Sequence, residues 1–177
     1  MLYIALLKGI NVGGHKKIKM TTLAKMFTAL GYSNVTTYIQ SGNVVFESKK
    51  TDTVKLTTII SQKIKETFDF DIDVIVKTKV ELEFVFNNNP FIKNEIEKLY
   101  VAFLSSTPKE KNIDLGVYED AEYQIVNDVV YMFFKTKSSD SKLPNNINEK
   151  KLHVNIASTR NWKTVTQLVH LTKEPLK

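Results

Sequence analysis

Gly9-Ile10-Asn11-Val12-Gly13-Gly14-His15-Lys16 is the first stretch whose residue types could hold a ligand. Glycines at 9, 13 and 14 permit positive φ and a run of inward-facing N–H groups, a cup for an oxyanion, with Lys8 and Lys16 supplying charge and Asn11 a donor. The spacing keeps both glycines of the phosphate loop G-x-x-x-x-G-K-[ST], yet His15 occupies the lysine position and Lys16 the hydroxyl position. The phosphate lysine and the magnesium hydroxyl are therefore both missing, and G-x-G-x-x-G fails as well. Neither a nucleoside triphosphatase nor a Rossmann enzyme is supported. A second stretch, Ser158-Thr159-Arg160-Asn161-Trp162-Lys163-Thr164, carries the sole arginine and the sole tryptophan. It is predicted to open the last helix, where free N–H groups and the dipole favour anions; Arg160 would add a bidentate clamp and Asn161 a donor. A competing reading makes Trp162 a core anchor, Ser158 or Thr159 the cap and Arg160 the partner of an acid.

The remaining constellations are poorer. Ser41 lies in a tight turn with Gly42 and Asn43, where serines usually serve local hydrogen bonds, and nothing in the sequence brings His15 beside it to make a nucleophile. Asp69, Asp71 and Asp73 begin like a calcium loop, but Val74 stands where that loop needs glycine and Val80 where it needs glutamate. His15, His153 and His170 have no ligand spacing, and the absence of cysteine excludes disulfides, thiolate zinc sites and thiol nucleophiles together. No metal and no cofactor is expected, and a cysteine-free chain suits a reducing cytoplasm.

Charge is concentrated at one end. The net charge is +6, and residues 1–78 carry 11 lysines against 6 acids. No acid precedes Glu47, whereas Lys8, Lys16, Lys17, Lys19 and Lys25 all do, so this segment attracts anions over a Debye length of about 8 Å. Of the 25 basic residues all but Arg160 are lysine, and a nucleic-acid reader would use several arginines for bidentate contacts, so nucleic acid is disfavoured as a partner. No apolar run approaches the ~18 residues of a membrane span, and the six apolar residues after Met1 have neither a basic segment before them nor a cleavage site. No membrane partner and no secretory signal are expected.

These residues need elements to position them. Leu2 to Leu7 is apolar without alternation, the pattern of a central strand covered on both faces. Leu23, Met26, Phe27 and Leu30 predict a helix, with Thr21 or Thr22 as cap and Gly31 as stop. Strands at Val35–Gln40 and Val44–Phe46 flank the Ser41 turn, Val54–Phe68 is an amphipathic helix and Ile72–Val76 a strand. That order is βαββαβ, a ferredoxin-like unit. Leu99-Tyr100-Val101-Ala102-Phe103-Leu104 then matches Leu2-Tyr3-Ile4-Ala5-Leu6-Leu7 at a spacing of 97, with four identities. A short helix near Lys109–Leu115, strands at Tyr123–Val126 and Val129–Lys135, and a helix near Asn145–Lys151 would complete a repeat of the first half. Val80–Phe86 reads as a linking helix, Ser138–Asn146 as a mobile loop, and Asn161–Leu171 as a closing helix with Trp162, Val165, Leu168 and Val169 on one face. The expected fold is α+β: two tandem ferredoxin-like halves, 1–78 and 99–177, joined by a helical linker at 79–98 and sharing one core, since apolar strands in both halves leave each sheet a face for the other to cover. An RNA-recognition module of the same topology would leave that face open and set aromatics on it, and Gly42-Asn43-Val44-Val45-Phe46 lacks them.

Four segments carry a family resemblance: Leu6-Leu7-Lys8-Gly9-Ile10-Asn11-Val12-Gly13-Gly14, Thr37 to Phe46, Asn89-Pro90-Phe91, and Thr159 to Val165. In that order they resemble the signature segments of a bacterial family called domain of unknown function 1697. The resemblance runs from the first residues to the last helix and implies a two-part fold of ferredoxin-like pieces, with no activity attached. Lys8 departs from the family pattern, which has arginine there; the charge is kept and the planar fork lost.

In a ferredoxin-like unit the Gly9–Lys19 loop, the Ser41 turn and the Asp69–Asp71 connection share one end of the sheet. The expected site is therefore Lys8, Gly9, Asn11, Gly13, Gly14, Lys16, Ser41 and Asn43, joined by Arg160 and Asn161 if the last helix packs on the same rim. The function expected is a cytoplasmic binder of a small, phosphate-bearing anion. The rival classes are an enzyme acting on a nucleotide or phosphoester, with Asp69, Asp71 or His15 as base, and a weak nucleic-acid-binding module; catalysis and oligomeric state stay open.

Overall fold

The computed structural model describes residues 1–49, 52–110 and 113–173. The chain divides into two compact units, Met1–Phe84 with the part of the last helix from Gln167, and Val85–Thr166. The fold is mixed α+β, with two four-stranded sheets in which every neighbouring pair is antiparallel.

The first unit runs β1 (Leu2–Leu7), α1 (Met20–Ala29), β2 (Ser33–Tyr38), β3 (Asn43–Glu47), α2 (Thr53–Phe68) and β4 (Val74–Thr78), and its sheet order is β2-β3-β1-β4. β1 is central, and Tyr3 through Leu7 are all fully buried, which is why its sequence shows no alternation. Its odd residues Tyr3, Ala5 and Leu7 join Leu23, Met26 and Phe27 of α1 and Leu56, Ile60 and Ile64 of α2 in one core. The helical spacing of those six residues is what puts them on one face of each helix. α1 begins two or three residues earlier than its threonines suggest: Lys19 is the N-cap residue and no side chain caps the helix. α2 is capped by Asp52, which accepts from the Val54 and Lys55 N–H groups at 3.0 and 3.1 Å.

The helix α3 (Lys79–Asn87) carries the chain into the second unit, which holds a one-turn 3-10 helix (Ile96–Lys98), β5 (Leu99–Leu104), β6 (Ala121–Val126), β7 (Val129–Phe134), α4 (Leu143–Asn146), α5 (Glu149–Leu152) and β8 (Ala157–Asn161). Its sheet order is β6-β7-β5-β8. The helix expected at Lys109–Leu115 falls partly on residues 111 and 112, outside the described ones; residues 109, 110 and 113–115 are not helical. Ile113, Leu115 and Tyr118 instead pack an irregular segment onto the core of this sheet. The helix expected over Asn145–Lys151 is two single turns, α4 and α5, and the stretch read as a loop from Ser138 is anchored at Leu143, which is fully buried. α6 (Trp162–Lys173) closes the described chain, with Trp162, Val165, Leu168 and Val169 all buried.

Candidate functional site

At one end of the first sheet three connections meet. The Leu7 N–H donates to the Gly42 carbonyl at 2.8 Å and the Lys8 N–H to the Asp73 carbonyl at 2.9 Å, which bring the β1–α1 loop to the β2–β3 turn and the α2–β4 connection. Asn11 staples the first two: its Nδ2 donates to the Ile18 carbonyl at 3.0 Å and the Gln40 carbonyl at 2.8 Å, while its Oδ1 accepts from the Ile18 N–H at 2.8 Å. Both amide hydrogens are thereby spent on the fold. Lys16 Nζ donates to the Asp71 carbonyl at 2.8 Å and ties the loop to the third connection. Beside it Lys65 bridges Asp71 and Asp69 at 2.9 and 3.6 Å, and the hydrogen bond that its ammonium donates to Asp71 pushes its pKa up.

The glycines have specific work. Gly13 and Gly14 have φ of +57° and +80°, and the His15 N–H donates to the Val12 carbonyl at 3.0 Å, the pattern of a type I′ reversal at the tip of the loop. Gly42, at φ +77°, lies so close to β1 that a Cβ there would stand 2.7 Å from the Leu7 Cβ. Asn43 is fully buried, and its Nδ2 donates to the Tyr38 carbonyl at 3.2 Å and to Ser41 Oγ at 3.0 Å, fixing the turn from inside.

The loop, the turn and the start of α1 enclose an open cleft of about 540 Å³, lined by Asn11, Lys17, Ile18, Lys19, Met20, Thr21 and Gln40. The first turn of α1 holds no acidic residue and no side-chain cap, so its leading N–H groups and the positive end of its dipole open on this cleft. Lys17 and Lys19, which the sequence marks only for their charge, and Gln40 lie outside the site expected from it. Their signal is a basic pair placed just ahead of a helix that has no Ser, Thr, Asp or Asn at its cap.

Arg160 and Asn161 belong to the second unit, and Arg160 is on a strand rather than at a helix start. It sits in β8 opposite Val101 of β5, 8% exposed, and donates to Ser158 Oγ at 3.0 Å and the Thr159 carbonyl at 2.8 Å. Burial pulls its pKa down to about 10. The helical spacing begins only at Trp162, and pairing with β5 makes the residues ahead of it a strand. Asn161 is the helix cap, its Oδ1 accepting from the Thr164 N–H at 2.8 Å. Trp162 stacks on Phe86, the ring centroids 5.8 Å apart, in the core of this unit. Among the described residues no three His, Asp or Glu side chains gather closely enough to hold a metal ion, and no helix is long and apolar enough to cross a membrane.

An α+β protein of two four-stranded antiparallel sheets, with a lysine-lined cleft at one sheet end, is thus the class in hand. The chain belongs to the family described as Protein of unknown function (DUF1697), which matches residues 1–131 and so takes in three of the four signature segments. Among solved structures it is similar to the conserved bacterial protein SP0830 from Streptococcus pneumoniae, at 21% identity over 97% of this chain and 98% of that one, with a TM-score of 0.75. That likeness bears on the fold alone. No curated protein matches the chain.

Proposed function

We propose that this chain is a cytoplasmic binder of a small phosphate-bearing anion, built as two ferredoxin-like halves that arose by internal duplication. The duplication is supported by register as well as by strand order. Ile4 of β1 faces Lys77 of β4, and Val101 of β5, 97 residues after Ile4, faces Arg160 of β8. Each sheet thus keeps a buried basic residue at the same place on its edge strand, Lys77 at 5% and Arg160 at 8% exposure.

The observation that carries the binding reading is the uncapped start of α1 above a cleft that Lys17 and Lys19 line. Free helix N–H groups and a positive dipole end favour an oxyanion, and two ammonium groups add charge without bidentate geometry, which suits phosphate better than a planar carboxylate. The glycine reversal and the Asn11 staple hold the cleft's walls, so Lys8, Gly9, Asn11, Gly13, Gly14, Lys16, Ser41 and Asn43 shape the site while Lys17, Lys19 and the α1 N–H groups contact the anion. Calorimetric titration with inorganic pyrophosphate tests this. Pyrophosphate is expected to bind, and a Lys17→Ala, Lys19→Ala double variant of unchanged melting temperature to bind at least tenfold more weakly. A double variant that binds as tightly as wild type removes the site.

A further inference from the structure

A branched Cβ crowds the backbone at positive φ, so isoleucine suits the left-handed region badly. Ile39 nevertheless sits at φ +49°, the one β-branched residue among the seven described non-glycine residues with positive φ. The strained residue is pinned on both sides: the Tyr38 carbonyl accepts from the Asn43 amide at 3.2 Å, and the Gln40 carbonyl from the Asn11 amide at 2.8 Å. Burial does not offset the strain, since Ile39 is 48% exposed. Val12, the neighbour of Asn11 at the other end of that staple, is 64% exposed where the glycine reversal begins. Two branched apolar side chains thus stand in water on turns at one end of the first sheet, although asparagine or glycine at 39 would fit the backbone without strain. Lysine is concentrated at the same end. Lys8, Lys16, Lys17, Lys19 and Lys65 stand there against Asp69, Asp71 and Asp73, a balance of +2, and Lys16, Lys17 and Lys19 are exposed.

We propose that this end of the first sheet docks on an anionic lipid bilayer, with Val12 and Ile39 entering the boundary between headgroups and acyl chains and Lys16, Lys17 and Lys19 lying among the headgroup phosphates. Shape and charge select that occupant. A peptide docks in a groove or along a sheet edge, whereas these apolar side chains are carried on turns that reverse the chain. A second copy docking turn to turn would bring lysines together, an arrangement that like charges oppose. A bilayer surface accepts apolar side chains to a shallow depth and attracts lysines to its phosphates, and ammonium groups without the fixed fork of arginine suit a fluid layer of them. Such a contact lies on the membrane and needs no spanning segment, so the lack of one, on which the expectation of no membrane partner rests, does not oppose it. Lys17 and Lys19 are shared with the proposed anion cleft, but Val12 and Ile39 are not among its walls, so each reading can hold without the other.

The test is co-sedimentation of the full chain with vesicles of phosphatidylcholine, alone or with one third phosphatidylglycerol, beside titration with inorganic pyrophosphate. The chain is expected to bind the anionic vesicles at least tenfold more tightly than the neutral ones and to be released by salt. A Val12→Asn, Ile39→Asn variant is expected to bind the anionic vesicles at least tenfold more weakly than wild type, with its pyrophosphate affinity unchanged. Asparagine tolerates the left-handed backbone at 39, so the variant's melting temperature should hold or rise and the lost binding is not unfolding. No binding to anionic vesicles overturns the proposal. So do equal binding of neutral vesicles, a variant that binds as tightly as wild type, and dimerisation of the chain through these turns. Pyrophosphate binding without vesicle binding defeats this docking and leaves the anion site standing; vesicle binding without pyrophosphate binding does the reverse.

Discussion

Tyr131 is a fully buried phenol in β7, and its hydroxyl donates to the Val85 carbonyl at 3.0 Å. Burial, with the Asp128 carboxylate adding to it, pushes its pKa up to about 12. Between pH 10 and pH 12 the unfolded chain ionises this phenol while the folded chain keeps its proton, so the stability Tyr131 confers is whole below pH 10 and fades as pH rises through 12. Other tyrosines, Tyr3 and Tyr32, are shifted the same way by burial, so the wild type alone cannot isolate one of them. The difference between wild type and Tyr131→Phe can. Urea unfolding of both proteins at pH 8.5 and 11.5 should show the wild-type advantage shrinking by about 1 to 2 kcal/mol at the higher pH, at 1.36 kcal/mol per pKa unit. A difference independent of pH would mean that the phenol is not held protonated by its surroundings.

At the scale of elements, the two long helices of the first unit begin in opposite ways, and that contrast decides what each start can do. Asp52 caps α2 with two hydrogen bonds, whereas α1 starts at Met20 after a lysine. Much of this was legible. Leu23, Met26 and Phe27 marked the buried face of α1, and Gly42-Asn43 marked the reversal between β2 and β3, because local spacing alone sets both. The start of α1 was not, since Thr21 and Thr22 are good cap residues that tertiary packing places inside the helix. Nor was the strand character of Ser158–Asn161, where pairing with β5 decides against local preference. The uncapped start yields a paired prediction. Lys19→Ser supplies the missing cap and should raise stability by about 0.5 to 1 kcal/mol, measured by denaturant unfolding. Its hydroxyl then occupies the N–H groups that the anion would use, and pyrophosphate affinity should fall severalfold. Stability and affinity rising together would separate the cap from the anion site.

Over the whole chain, the strand order legible from apolar runs is also an order of protection. Leu2–Leu7 and Leu99–Leu104 announce themselves as central because neither alternates, and both are bonded to neighbours on each side. The four edges were not legible as edges, because Lys77 and Arg160 signal blunting only once the register shows them buried beside β1 and β5. Native-state hydrogen exchange should follow this ranking, since amides open with their local pairing rather than with the chain as a whole. Amides of β1, β3, β5 and β7 are expected to exchange slowest. In β6, amides that bond to β7 should exchange on the order of 100-fold more slowly than their outward-facing neighbours, giving an alternating profile from Ala121 to Val126. The bulge in β2 should break any such alternation near Asn34. Uniform protection along β6 would mean that its outward-facing amides have bonding partners of their own.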